Sequence, residues 1–247
     1  MIPLKSNKDL ENLRVSGKIL AHVMGKLQDL IDVGIATSEI DNLAEKLIRK
    51  EGAIPAFKGY KGFPASVCIS INEEIVHGIP GPRKLKEGDI VSIDLGVNLG
   101  GYFTDAAITV SVGRADPKTR KLIQVAKDSL SAGIKQAAVG KHLTDISYSI
   151  QNFVERHGFS VVRQFVGHGI GVNLHEEPEI PNFGQAHQGP VLKSGMVLAI
   201  EPMVNMGTWE SSILENGWTA VTGDGLPSAH FEHTVAVTEN GPEILTK

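Results

Sequence analysis

The sequence predicts an α+β fold, an antiparallel sheet with flanking helices, built as two related halves. Three observations predict it. Residues 85–94, Leu-Lys-Glu-Gly-Asp-Ile-Val-Ser-Ile-Asp, reappear in degraded form at residues 192–201, Leu-Lys-Ser-Gly-Met-Val-Leu-Ala-Ile-Glu. The match extends outward: Val33-Gly34, Ile40 and Gly52 pair with Val139-Gly140, Ile146 and Gly158, and Val76-His77-x-x-Pro80 pairs with Leu174-His175-x-x-Pro178. Each half also reads as two helices followed by several strands. Strands that come in runs, rather than alternating with helices, favour an antiparallel sheet.

The elements follow in order. Residues 6–31 read as a helix, with a capping signal at Ser6 and Asp9 and Leu10, Leu13, Leu20, Val23, Met24, Leu27 and Ile31 at helical spacing. Residues 37–51 form a second helix, stopped by Gly52. Residues 67–71, 90–97 and 102–112 read as strands. Asp116-Pro117 caps a helix running to about Ala138, with proline at its first position. A helix over 145–157 follows, and strands return at 161–166, 197–201, 218–222 and 230–237. No low-complexity linker interrupts the chain. One domain is therefore expected over 1–247, its halves meeting near residue 115.

Composition excludes several function classes. The 247 residues carry a net charge of −4 and no basic tract, which argues against nucleic acid or an anionic membrane as primary partner. The N-terminus, Met1-Ile2-Pro3-Leu4-Lys5-Ser6, lacks an apolar signal core, and no segment approaches a membrane span. The single cysteine, Cys68, rules out an internal disulfide and fits the cytosol.

Both copies of the repeat read as a turn feeding a buried strand that ends on a carboxylate, Asp94 and Glu201. A core strand ending on a charge is poor packing unless the charge has a task. Asp94 and Asp105 lie symmetrically about the turn candidate Asn98-Leu99-Gly100-Gly101. A symmetric hairpin opposes them directly, and a cation relieves their repulsion. The alternative is one aspartate facing solvent and the other capping a turn. Glu232 alternates away from Phe231, Val235 and Val237, on a ligand face or on the wet face of a sheet. His168, in Gly167-His168-Gly169, sits on a tight bend, as a ligand or as a satisfied structural histidine. Taken jointly, four carboxylates and one imidazole suit two Mn²⁺, Fe²⁺, Co²⁺ or Zn²⁺ ions sharing a hydroxide better than structural zinc, Mg²⁺ or Ca²⁺.

Asp94, Asp105, His168, Glu201 and Glu232, in this order and context, resemble the five ligands of the dinuclear "pita-bread" metallopeptidases. The similarity is greatest to type I methionine aminopeptidases of the bacterial form. Ser66-Val67-Cys68-Ile69-Ser70-Ile71-Asn72-Glu73, His77-Gly78-Ile79-Pro80, His175-Glu176-Glu177-Pro178 and Ile200-Glu201-Pro202 are also family-like. The N-terminal zinc-finger extension and the helical insertion of other branches are missing from the sequence. The resemblance implies that Asp105 and Glu232 bridge two metals, Asp94 completes one, and His168 with Glu201 completes the other. It implies Glu201 as proton shuttle and His77 and His175 as catalytic histidines flanking the peptide, His175 aimed at the scissile carbonyl. It implies a methionine pocket of Tyr60, Phe63, Cys68, Leu174 and Trp218, with Phe57 near its mouth. The expected substrates are N-termini of nascent polypeptides met at the ribosome, and the expected state a cytoplasmic monomer. The sequence departs from the family at Leu174, usually aromatic, Lys61, usually histidine, and His230, usually glutamine. Xaa-Pro peptidases and non-catalytic peptide-binding modules share the fold and are the competing readings.

Overall fold

A computed structural model of the chain describes residues 2–247; Met1, the first residue of the expected domain, lies outside the described residues. Helix Asn7–Leu30 starts where the sequence signals it. Ser6 accepts from the Asp9 amide, and the Asp9 carboxylate takes the Ser6 amide in return. It packs on helix Thr37–Lys50, and helix Pro117–Ile134 packs on helix Leu143–Arg156 in the second half. Asp116 caps the third helix through the Lys118 and Thr119 amides.

Nine strands build one sheet in which every pairing is antiparallel, and two three-stranded sheets take the others. The path of the large sheet runs through Ile54–Pro55, Ile90–Leu99, Tyr102–Ser111, Glu232–Thr238, Val197–Ile200, Gly167–Gly169 and Glu176–Ile180. Val67–Ile71 joins at Ile90–Leu99 and Gly241–Ile244 at Glu232–Thr238. The sheet thus crosses from one half of the chain to the other between Tyr102–Ser111 and Glu232–Thr238.

Period-two alternation sorts the side chains of these strands. Val91, Ile93, Leu95 and Val97 pack under the first helix pair with Leu20, Leu27, Ile40 and Ile48. Leu198, Ile200, Val235 and Val237 pack under the second with Leu122, Leu130, Ile146 and Ile150. The opposite face receives Asp94, Asp105, Glu201 and Glu232 from the intervening positions.

Several expectations are corrected here. Asp94 pairs with Ala107, and Asp105 with Gly96, so the two aspartates are diagonal rather than directly opposed. The turn closes one residue later than expected because Gly100 and Gly101, at φ 59° and 90°, supply the two positive values that a two-residue hairpin loop demands. The strand does not end on Asp94 but continues to Leu99. Gly167–Gly169 is not a bend but a strand paired on both edges. Its glycines leave room for neighbours: a Cβ at 167 would sit 2.4 Å from the Ala199 carbonyl oxygen, and one at 169 would sit 2.1 Å from that of Glu177. The strand expected over 161–166 reduces to Ser160–Val161, and the third helix stops at Ile134 rather than Ala138. The strand expected over 230–237 is broken at Phe231 into Ser228–His230 and Glu232–Thr238, which belong to different sheets.

Candidate active site

The four carboxylates reach one point from three strands and one strand end. Asp94 and Asp105 come from the long hairpin, Glu232 from the start of Glu232–Thr238, and Glu201 from the residue after Val197–Ile200. His168 comes from the adjacent glycine-flanked strand. One ligand atom each of Asp105, His168 and Glu232 lies within 4.8 Å of the other two. His168 Nε2 is 3.5 Å from Glu201 Oε1. Its Nδ1 donates to the Gly169 carbonyl at 2.8 Å, which fixes the tautomer and leaves the Nε2 lone pair facing the carboxylates.

The electrostatics are those of a cation site. Burial raises Asp94 to about 7, against the effect of a hydrogen bond from Asp105. Burial and then the charges of Glu232 and Asp94 push Asp105 well above the carboxylate range. Glu201 is raised by burial and by Asp105 and Asp94, and Glu232 by burial and by Glu201 and Asp94. Among the described residues no lysine or arginine forms an ion pair with any of the four. Asp94 Oδ1, Asp105 Oδ1 and Glu232 Oε1 are buried with no hydrogen-bond partner. Buried polar atoms are normally paired, and a lone buried carboxylate is expensive. Unpaired carboxylate oxygens beside an imidazole lone pair therefore fit divalent transition-metal ions.

The cluster forms the floor of a cavity of about 330 Å³. Phe57, Tyr60, Phe63, Cys68, Leu174 and Trp218 line it, as do His77 and His175. Phe63 meets Trp218 edge-on at 5.2 Å, and burial pushes the Cys68 thiol up, keeping the sulfur neutral. Apolar walls and a neutral sulfur suit an unbranched thioether.

The two histidines are held differently. His175 stacks on Tyr60 at 5.2 Å, and its Nδ1 lies 2.9 Å from the Tyr60 hydroxyl; with that hydroxyl donating, Nε2 carries the proton. Burial, followed by the fields of His168, Lys61 and His77, lowers His175 to about 3. His77 sits at φ 60°, a left-handed value rarely taken by a side-chain-bearing residue, and burial lowers its pKa. The following residue passes so close to the neighbouring strand that a Cβ at Gly78 would meet the Ile69 carbonyl oxygen at 2.1 Å. Lys61, Val76, Gln164, Phe165 and Val166 complete the lining. The sequence reading missed Gln164, Phe165 and Val166; their only signal was proximity to Gly167-His168-Gly169. Phe165 meets the His77 ring edge-on at 5.6 Å.

The model of metallopeptidase family M24 matches residues 11–239. A methionine aminopeptidase of Clostridium perfringens is 54% identical over 246 residues, covering 100% of this chain and 99% of the relative. The chain belongs to the methionine aminopeptidases of family M24. Methionine aminopeptidase 1 of Bacillus subtilis is 51% identical over the full length of both chains. Among solved structures, the family's member from Rickettsia prowazekii superposes with a TM-score of 0.99 at 41% identity, with 100% of each chain covered. A prolidase of Pyrococcus horikoshii shares the fold alone, with a TM-score of 0.81 at 23% identity over 63% of that chain. The family fold is the pita-bread arrangement described above, and the family is metal-dependent.

Proposed function

We propose that the chain removes N-terminal methionine from new polypeptides whose second residue is small. In this reading Asp94, Asp105, His168, Glu201 and Glu232 hold two divalent cations, drawn from cobalt, manganese, iron and zinc. The observation that carries it is the buried carboxylate cluster with unpartnered oxygens, opening onto an apolar cavity flanked by His77 and His175. When bound, the cations supply charge compensation, a Lewis acid for the scissile carbonyl and a water acidified toward neutral pH.

The chain's own residues divide the remaining work. Asp105 and Glu232 would be shared between the two ions, Asp94 would help hold one, and His168 with Glu201 would help hold the other. Glu201 takes the proton of the attacking water and returns it to the leaving amine. His175 presents an N–H donor to the oxygen that gains charge as the carbonyl becomes tetrahedral. His77 faces it and orients the peptide. Tyr60, Phe63, Cys68, Leu174 and Trp218 enclose the methionine side chain, with Phe57 near the mouth. Residues 1–247 act as one catalytic domain of two halves, 1–115 and 116–247. No helix among the described residues is long and apolar enough to cross a membrane. We place the protein in the cytoplasm as a monomer, acting on nascent chains at the ribosome.

A peptide panel that varies the first two residues independently tests this reading. Met-Ala-Ser peptides should be cleaved well, and peptides with a bulky or charged second residue should be refused. Norleucine should partly replace methionine, because an apolar pocket discriminates one methylene by only about 1–3 kcal/mol. Comparable kcat/KM for Met-Ala and Met-Lys peptides would contradict the tight second position. Preference for Xaa-Pro would move the assignment to the prolidase branch.

A further inference from the structure

The loop that carries Leu174 and His175 is fastened by an ion pair that none of the chemistry above uses. Glu176 follows His175 directly. Its Oε1 accepts from the Val172 amide at 2.8 Å and the Asn173 amide at 3.0 Å, closing the loop on itself. Its Oε2 accepts from Lys5 Nζ at 2.5 Å. The two side chains are only 5% and 4% exposed, an unusual depth for such a pair.

Lys5 lies just before the first helix, and 171 residues separate the partners. Its own place is fixed from both sides. The Lys5 amide donates to the Gly195 carbonyl at 2.7 Å, and the Gly195 amide donates to that of Val237 at 3.0 Å. Its side chain fills the space beside Gly171, where a Cβ would lie 2.0 Å from Lys5 Cε. Gly171 is in turn tied to the long hairpin, because its carbonyl accepts from the Phe103 amide at 2.7 Å. The N-terminal segment is thus a strap across the base of the His175 loop, anchored to the sheet behind the carboxylate cluster.

We propose that Lys5 and Glu176 are positioning residues for the reaction, holding residues 172–175 so that His175 meets the scissile carbonyl. Neither lines the cavity. A buried carboxylate that gathers two loop amides and one lysine fixes the backbone on which His175 is carried, while Tyr60 fixes the ring. This rests on the role assigned to His175 above.

The experiment uses the Mn²⁺-reconstituted full chain and a Met-Ala-Ser peptide. Lys5→Met removes the charge, and the double variant Lys5→Met/Glu176→Gln removes the pair without leaving a buried charge. Both should keep the parent's metal stoichiometry. Displacing a reacting group by about 1 Å costs up to about 100-fold, so kcat should fall on the order of 10- to 100-fold with a smaller change in KM. In a His175→Ala background the same substitutions should change kcat less than about twofold, since residues acting through one group are not additive. Parent-like kcat in a folded double variant would overturn the proposal. So would an equal loss in the His175→Ala background, which marks a merely structural pair. If Lys5→Met does not fold, the double variant decides. A parent protein that releases no methionine would refute the proposed function instead, so the two failures are distinguishable.

Discussion

At the residue scale, the cluster divides its members by what their loss removes. Asp105 and Glu232 are each surrounded by like charge and each offers a buried oxygen with no other partner. Replacing either with alanine should abolish metal binding and most activity, with metal content by mass spectrometry and methionine release as the readouts. His175 stands in a different position, stacked on Tyr60 and outside the carboxylate group. His175→Ala should keep its metal and lose kcat by about 10²–10³-fold, the usual effect of removing one transition-state donor. A His175→Ala protein that lost its metal and turned over normally on reconstitution would reverse these assignments.

At the element scale, the glycines around His168 set how close three strands can approach. A Cβ at position 169 would meet the backbone carbonyl oxygen of Glu177 at 2.1 Å, and backbone cannot swing away as a side chain can. Overpacking of this kind typically costs about 1–3 kcal/mol. Gly169→Ala should therefore lower Tm by several degrees and weaken metal binding, since it displaces the His168 ring. An unchanged Tm with unchanged metal affinity would show that the strands tolerate separation.

The same scale shows what the sequence made legible. The Ser6 and Asp116 caps fixed two helix starts, because capping is a local chemical signal. The carboxylates are visible because each sits within or directly after an apolar strand. The hairpin register is ambiguous by one residue in the sequence, since either Leu99-Gly100 or Gly100-Gly101 could be the tight turn and only the φ values distinguish them. The sequence does not mark Glu176–Ile180 as a strand, because its three glutamates and Pro178 resemble a loop and its pairing with Gly167–Gly169 is purely tertiary. The Lys5–Glu176 pair was invisible for the same reason. No local pattern joins residues that far apart.

At the whole-molecule scale, burying four carboxylates makes the metal-free fold sensitive to pH. A folded pKa raised above its unfolded value gives stability that is present below the unfolded pKa and lost as pH rises through the folded one. For Asp94 that window runs from the ordinary 3.8 to about 7, and Asp105, Glu201 and Glu232 shift in the same direction. The histidines with lowered pKa values act oppositely. His175 and His230 at about 3 and His233 at about 4 contribute stability above the ordinary imidazole value of 6.5, lost as pH falls toward those values. The two trends compete below 6.5, and from there to about 7 the carboxylates act alone. The Tm of chelated protein should therefore fall as pH rises from about 6.5 through the Asp94 value of about 7, and the rise in Tm on adding Mn²⁺ should grow over the same interval. A metal-free Tm that climbed through that interval would contradict the buried, uncompensated cluster.

The most direct test of the central claim, that this cluster is a metal-dependent catalytic centre, is methionine release from a Met-Ala-Ser peptide. It should be measured on exhaustively chelated protein before and after adding Mn²⁺, Fe²⁺ or Co²⁺. No release before addition and turnover after it is the expected result. Full turnover by the chelated protein would contradict the account.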